Sequence, residues 1–208
     1  MELATLLRPL GLVAGPAAVL ALALLVAGLA IAGADAVDTS PLATASSAVL
    51  LVALLGLGAA ALAALARLRT ADRGIAGSAI AVVGTVLVAG GDWAALFVMP
   101  ALAKEAPGVL EAGLGSVVVG YVASYVVFTV GWAWTAIALL RARLVPTWLG
   151  VLTAVGGALA FVPAPEAMRL LVVAVAASLM ARHLAMPMPV IAPTRTVGAV
   201  SGARSQLS

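Results

Sequence analysis

A chain of 208 residues that is 64% hydrophobic and 9% charged cannot be a water-soluble domain, because such domains are about half apolar and about a quarter charged. Eleven Lys plus Arg stand against eight Asp plus Glu, a small imbalance on a sparsely charged chain, so the basic character reads as membrane topology and excludes nucleic acid as the expected partner. The absence of cysteine removes disulfides, thiolate metal sites, iron–sulfur clusters and thiol nucleophiles, and the single His183 cannot build a multi-histidine site, so no metal and no cofactor are expected.

Hydrophobic runs long enough for a helix to cross a hydrocarbon core of about 30 Å, which takes about 20 residues, occur at 10–33, 43–66, 75–103, 116–140, 147–163 and 167–185. The expected fold is therefore all-α, a polytopic transmembrane helix bundle of six spans over residues 1–185. In the first run, Arg8 precedes the apolar stretch and Ala34-Asp35-Ala36 resembles a signal-peptidase site. A signal core holds only about 7–15 apolar residues, so this longer run reads as a retained helix. Charges and helix breakers group at each joint: Asp35 to Pro41, Arg67 to Gly74, Lys104 to Gly108, Arg141 to Pro146 and Pro163 to Glu166. The fifth run is the shortest and carries Gly150, Gly156 and Gly157, so a thin or re-entrant segment is the alternative there. Residues 186–208, with Met186-Pro187-Met188-Pro189 and a Ser, Thr and Gly-rich end, lack hydrophobic periodicity and read as a flexible cytoplasmic tail.

Orientation follows from the basic residues. With both termini in the cytoplasm, Arg8, Arg67, Arg69, Arg73, Arg141, Arg143, Arg182, Arg195 and Arg204 lie inside, whereas only Lys104 and Arg169 lie outside. The exterior joints collect Asp35, Asp38, Glu105, Glu111 and Glu166 instead.

Asp92 is the one acidic residue inside a hydrophobic span, where a carboxylate at the membrane centre costs about 2.5–3.5 kcal/mol on insertion scales. It needs a partner or water. Around it, Gly77, Gly84 and Gly91 recur every seven residues, and Ser78, Thr85 and Asp92 do so one position later. Seven residues is nearly two helical turns, so the rows form adjacent stripes, one letting a helix approach and the other hydrogen-bonding across the contact. The fourth span matches with Ser116, Gly120, Ser124 and Gly131 as a small-residue stripe and Tyr121, Tyr125, Phe128 and Trp132 on a neighbouring face. A Tyr121 or Tyr125 hydroxyl is expected at the depth of Asp92, since the two helices run antiparallel. Arg169 is the second candidate partner, against the plainer roles of snorkelling to headgroups or pairing with Glu166. The candidate ligand-binding set is thus Asp92, Tyr121, Tyr125 and Arg169, weighed against a purely structural Asp92 and an aromatic stripe that only packs.

The remaining residues read blandly. His183 and Arg182 complement the C-terminus of the last helix, Trp93, Trp134 and Trp148 belong to interfacial belts or packing, and Pro16 and Pro100 kink spans. No Gly-x-Ser-x-Gly, His-Glu-x-x-His, phosphate-binding loop, retinal lysine or repeated arginine of a voltage sensor is present, so catalysis is not the expected activity.

At Leu139-Leu140-Arg141-Ala142-Arg143-Leu144-Val145-Pro146-Thr147-Trp148-Leu149-Gly150, following Gly131-Trp132, the chain resembles small six-helix membrane proteins of unknown function from GC-rich bacteria. The resemblance extends across the third to sixth spans. It implies a multi-pass protein of the bacterial cell membrane and no particular activity. Two roles remain open: a bundle that binds or moves a small molecule, lipid or ion at Asp92, and an accessory subunit that packs on another membrane protein, or on its own copies, through small-residue faces such as Gly11 and Gly15.

Topology is open to direct test. Reporter fusions after Arg73 and after Arg143 are expected to report the same, cytoplasmic, side; opposite sides would break the arrangement.

Overall fold

A computed structural model describes residues 3–33, 40–106, 108 and 115–186, and every regular element among them is helical. In chain order these are α1 (Leu3–Ala32), α2 (Pro41–Thr70), α3 (Ala76–Trp93), a π-helical turn (Ala94–Val98), α4 (Met99–Glu105), α5 (Gly115–Arg141), α6 (Thr147–Leu159) and α7 (Glu166–Leu184). The expected tail beyond Met186, together with Asp35, Asp38 and Glu111, lies outside the described residues.

Five segments are long and apolar enough to cross a membrane: Thr5–Ala32, Pro41–Thr70, Ala76–Leu102, Gly115–Arg141 and Glu166–Leu184. The expected span 147–163 is shorter than the others. Its helix stops at Leu159 after 13 residues, about 20 Å of rise, and Phe161 and Val162 then turn tightly by donating to the Ala158 and Leu159 carbonyls ahead of Pro163 and Pro165.

Helix ends follow local chemistry. Ser40 caps α2 by accepting from the Ala43 N–H at 3.1 Å, and Pro41 opens the first turn, where its missing donor is not needed. The ends of α2 and α5 are built alike. Asp72 (φ 50°) and Arg143 (φ 54°) adopt the left-handed conformation, while Arg73 donates to Leu68 and Leu144 to Leu139, satisfying carbonyls the helix leaves open. Arg67, Arg69 and Arg141 sit in those last turns, where positive charge suits the helix dipole.

The helices pack as a ring in which α1 touches α2 and α7, α2 touches α3, α3 touches α5, α5 touches α6, and α6 touches α7, with α2 also reaching α7. Paired contacts set the directions as antiparallel: Gly11 with Ala60 and Gly56 with Ala14 for α1 and α2, Gly77 with Thr135 and Gly84 with Phe128 for α3 and α5, Gly150 with Leu140 and Gly157 with Trp132 for α5 and α6, and Gly156 with Val173 and Ala160 with Arg169 for α6 and α7. Arg67, Arg141 and Arg182 therefore share one end of the bundle, and Asp92, Tyr121 and Arg169 the other.

Backbone meets backbone where α3 packs on α5. A Cβ on Gly84 would stand 2.5 Å from Phe128 Cα, one on Gly77 would stand 2.9 Å from Thr135 N, and one on Gly131 would overlap the Ala81 backbone. No other residue permits that contact, and it seats Phe128, Trp132 and Tyr125 in the core.

Single polar side chains stitch the other contacts. Pro16 offers no N–H to the Leu12 carbonyl one turn back, and Ser178 of α7 fills the gap. Its hydroxyl accepts from Gly15 N–H at 2.6 Å and lies 3.1 and 3.2 Å from the Leu12 and Gly11 carbonyls. Ser46 donates to Ala21 O at 2.7 Å between α2 and α1. Buried Arg67 donates from Nε to Leu184 O at 2.7 Å, tying the end of α2 to that of α7.

These contacts set expected stabilities. In thermal unfolding in detergent, Gly84→Val is expected to cost about 1–3 kcal/mol by overpacking and Ser178→Ala about 1 kcal/mol. Gly120→Ala, which meets nothing within 4 Å, serves as the neutral control.

Candidate functional site

Asp92 occupies the last turn of α3, just before the π-helical turn. Pro100 explains that turn: it lacks the N–H that Leu96 would accept and its ring crowds that carbonyl, so the preceding turn widens, with Met99 N–H reaching back five residues to Ala94 O. The wider turn follows Asp92 at the open end of the bundle. On α5, Tyr121 and Tyr125 stand one turn apart with ring centroids 5.0 Å apart. On α7, Pro165 starts the helix and places Glu166 and Arg169 three residues apart in its first turns, 3.9 Å from each other.

These three helices bring the side chains to one place. Asp92 is buried, 4% exposed, and lies close enough to Glu166 and Arg169 to interact electrostatically with both. Arg169 is the organiser. Its Nη2 donates to the Tyr121 hydroxyl at 2.9 Å and to the Tyr125 hydroxyl at 3.5 Å, its Nη1 reaches the Ala160 carbonyl at 3.4 Å, and its guanidinium carbon lies 4.4 Å from the centre of the Tyr125 ring. That combines charge-assisted hydrogen bonds, a cap on the end of α6 and a cation–π contact. Tyr121 in turn donates to Glu166 Oε1 at 3.4 Å.

Two buried atoms of this cluster have no hydrogen-bond partner among the described residues: Asp92 Oδ2 and Arg169 Nε. An ionised carboxylate only accepts, so Asp92 and Glu166 satisfy one another only if a proton lies between them or a bound group supplies a donor. With one shared proton, the pair carries a single negative charge that Arg169 balances. A neutral cluster is what a site at the edge of hydrocarbon favours. No group of three or more His, Asp or Glu that would hold a metal exists among the described residues, and the guanidinium further opposes a divalent ion there.

Tyr121, at 38% exposure, and the partly exposed Glu166 leave the cluster open on one side, while Tyr125, at 2%, closes it below. Beneath Tyr125, Phe128 and Trp132 continue the aromatic column at 6.3 and 6.1 Å between centroids, and Trp132 Nε1 donates to Thr85 Oγ1 at 3.1 Å. The polar row of α3 is buried throughout. Thr85 also donates to Ala81 O at 2.7 Å, whereas Ser78 Oγ has no partner among the described residues.

The four candidate binding residues, Asp92, Tyr121, Tyr125 and Arg169, converge. The expected tyrosine-to-Asp92 hydrogen bond is not formed: Tyr121 donates to Glu166 instead, and both hydroxyls accept from Arg169. Of the small residues, Gly77 and Gly84 contact α5 backbone, and Gly91 meets only the Tyr121 ring at 3.7 Å. Ser116 and Gly120 lie exposed, and Ser124 donates to Gly120 O within its own helix at 2.8 Å. The reason is divergence: α3 and α5 touch at glycine but are held apart by a tyrosine ring near Gly91. Glu166 as the neighbour of Asp92, the Ala160 carbonyl and the Trp132–Thr85 bond were not read from sequence. Only the three-residue spacing of Glu166 and Arg169 hinted at the first.

No protein-family model, curated protein or solved structure matches the chain.

A shared proton has a spectroscopic signature. Infrared spectra at neutral pH are expected to show a protonated-carboxyl stretch that disappears in both Asp92→Asn and Glu166→Gln; a band unchanged in either variant would separate the two groups.

Proposed function

We propose that the protein is a six-pass protein of the cell membrane with both termini inside, and that its outer polar site binds or moves a small polar solute or ion in exchange for a proton. The observation that carries the reading is buried Asp92, with an oxygen that no described donor reaches, set against Glu166 and beside the unused Nε of Arg169. A solute with a donor for the carboxyl and an acceptor for the guanidinium would replace the proton and complete both sets of hydrogen bonds. Entry from one side is supported by the half-open Tyr121 and Glu166 rim.

The orientation rests on charge. The end that holds Arg67, Arg69, Arg73, Arg141, Arg143 and Arg182 carries Asp72 as its one described acidic residue, which suits the cytoplasmic side, so the Asp92 cluster opens outward. An accessory role through small-residue faces draws less support. Of the small residues that could dock a partner, Gly11, Gly15 and Gly84 are already covered from within, by Ala181 at 2.6 Å, Ser178 at 3.0 Å and Phe128, which leaves only the Ser116 and Gly120 stretch of α5 uncovered among those named above.

Purification in native lipid followed by mass spectrometry tests the reading. A small solute is expected to accompany the unaltered protein and to be lost from Asp92→Asn and Arg169→Gln. Retention by both variants, or a partner protein in its place, would overturn it.

A further inference from the structure

A second site lies at the opposite end of the bundle and is independent of the Asp92 cluster. On α7, Val175, Leu179, Arg182 and His183 follow one another at helical spacing, so they form a stripe on one face, and Met186 follows just past the helix end. Two hollows open along it. One, of about 180 Å³, is lined by Trp148, Leu149, Leu179, Arg182, His183 and Met186. The other, of about 580 Å³, lies between α1 and α7, from Gly15 and Pro16 to Ala23 on one wall and from Val175 to Leu179 on the other. Leu179 borders both.

We infer that these hollows together hold one anionic glycerophospholipid of the inner leaflet, its phosphate on Arg182 and His183 and an acyl chain in the groove between α1 and α7. Charge complementarity names the occupant. Arg182 and His183 are exposed in the last turn of α7, neither makes an ion pair among the described residues, and Asp72 is the sole described acid at that end. The depth also fits. Val175 lies about 10 Å along the helix from Arg182, which keeps the upper groove within one leaflet of a core about 30 Å thick. The groove wall is apolar because the one hydroxyl on it, Ser178, is taken up by the α1 backbone, and it is wide because Gly15, Pro16 and Ala23 present little bulk. Trp148, 58% exposed, lines the same hollow as Arg182 and His183 with an indole suited to the headgroup layer.

Native mass spectrometry of the purified protein, offered phosphatidylglycerol or phosphatidylcholine with identical acyl chains, tests the site. One phosphatidylglycerol is expected to bind, about tenfold or more ahead of phosphatidylcholine, as two basic contacts imply. The Arg182→Gln/His183→Gln double variant should erase that preference, and Leu179→Trp should weaken both lipids by filling the groove. Arg69→Gln/Arg73→Gln, which removes at least as much charge from the same end, should leave binding intact and guards against a general surface-charge effect. Equal binding of the two lipids, the same loss in the control pair, displacement by inorganic phosphate, or a second copy of the chain in the groove would each overturn the inference, and none would bear on the Asp92 site.

Discussion

The backbone contact between α3 and α5 at Gly84 and Gly131 is the constraint on which the rest of the bundle depends. Hydrocarbon offers helices no hydrophobic drive to associate, so close packing and a few internal hydrogen bonds must hold them together. Where two glycines let the backbones touch, Thr85 and Trp132 fall within hydrogen-bonding reach, and the aromatic column of α5 turns inward. Beyond that point the helices diverge, Tyr121 fills the gap beside Gly91, and the space opens in which Asp92 meets α7. Tight packing below and divergence above are two halves of one arrangement.

Polar groups in this protein are satisfied one at a time and mostly across helices. Ser178 repairs the backbone gap left by Pro16, Ser46 reaches α1, and Arg67 caps α7. The Asp92 cluster differs because its hydrogen bonding does not close without a proton or a guest: a buried carboxyl oxygen has no donor, and one guanidinium nitrogen goes unused. Ser78 Oγ and Thr129 Oγ1 are also buried without a partner among the described residues, but only at the Asp92 cluster are the unsatisfied groups ionisable.

Prolines and glycines place the irregularities where the two proposed sites lie. Pro100 widens the helix after Asp92, and Pro16 with Gly15 hollows the wall of the groove on α7. Pro163 and Pro165 end the short α6 and start α7 at Glu166, which brings the Ala160 carbonyl and the first turn of α7 to the same guanidinium. Backbone breaks thus set the geometry at both ends of the bundle, while the uninterrupted helix between them supplies rigidity.

Helical content, the approximate bounds of the long apolar segments and the grouping of arginines at alternate joints were determined by the sequence alone, because hydrophobic length, periodicity and charge are properties of contiguous residues. So was the singularity of Asp92, a carboxyl in an apolar run. Tertiary structure decided its company. Glu166 lies far along the chain and outside any shared periodicity, so no spacing rule connects it to Asp92, and the hydroxyls expected there were drawn to Arg169 by a stronger, charge-assisted bond. The same holds for Gly120, aligned with Gly131 on the helix but left uncovered, because helical phase says which residues share a face and only the crossing of two helices says where that face is met.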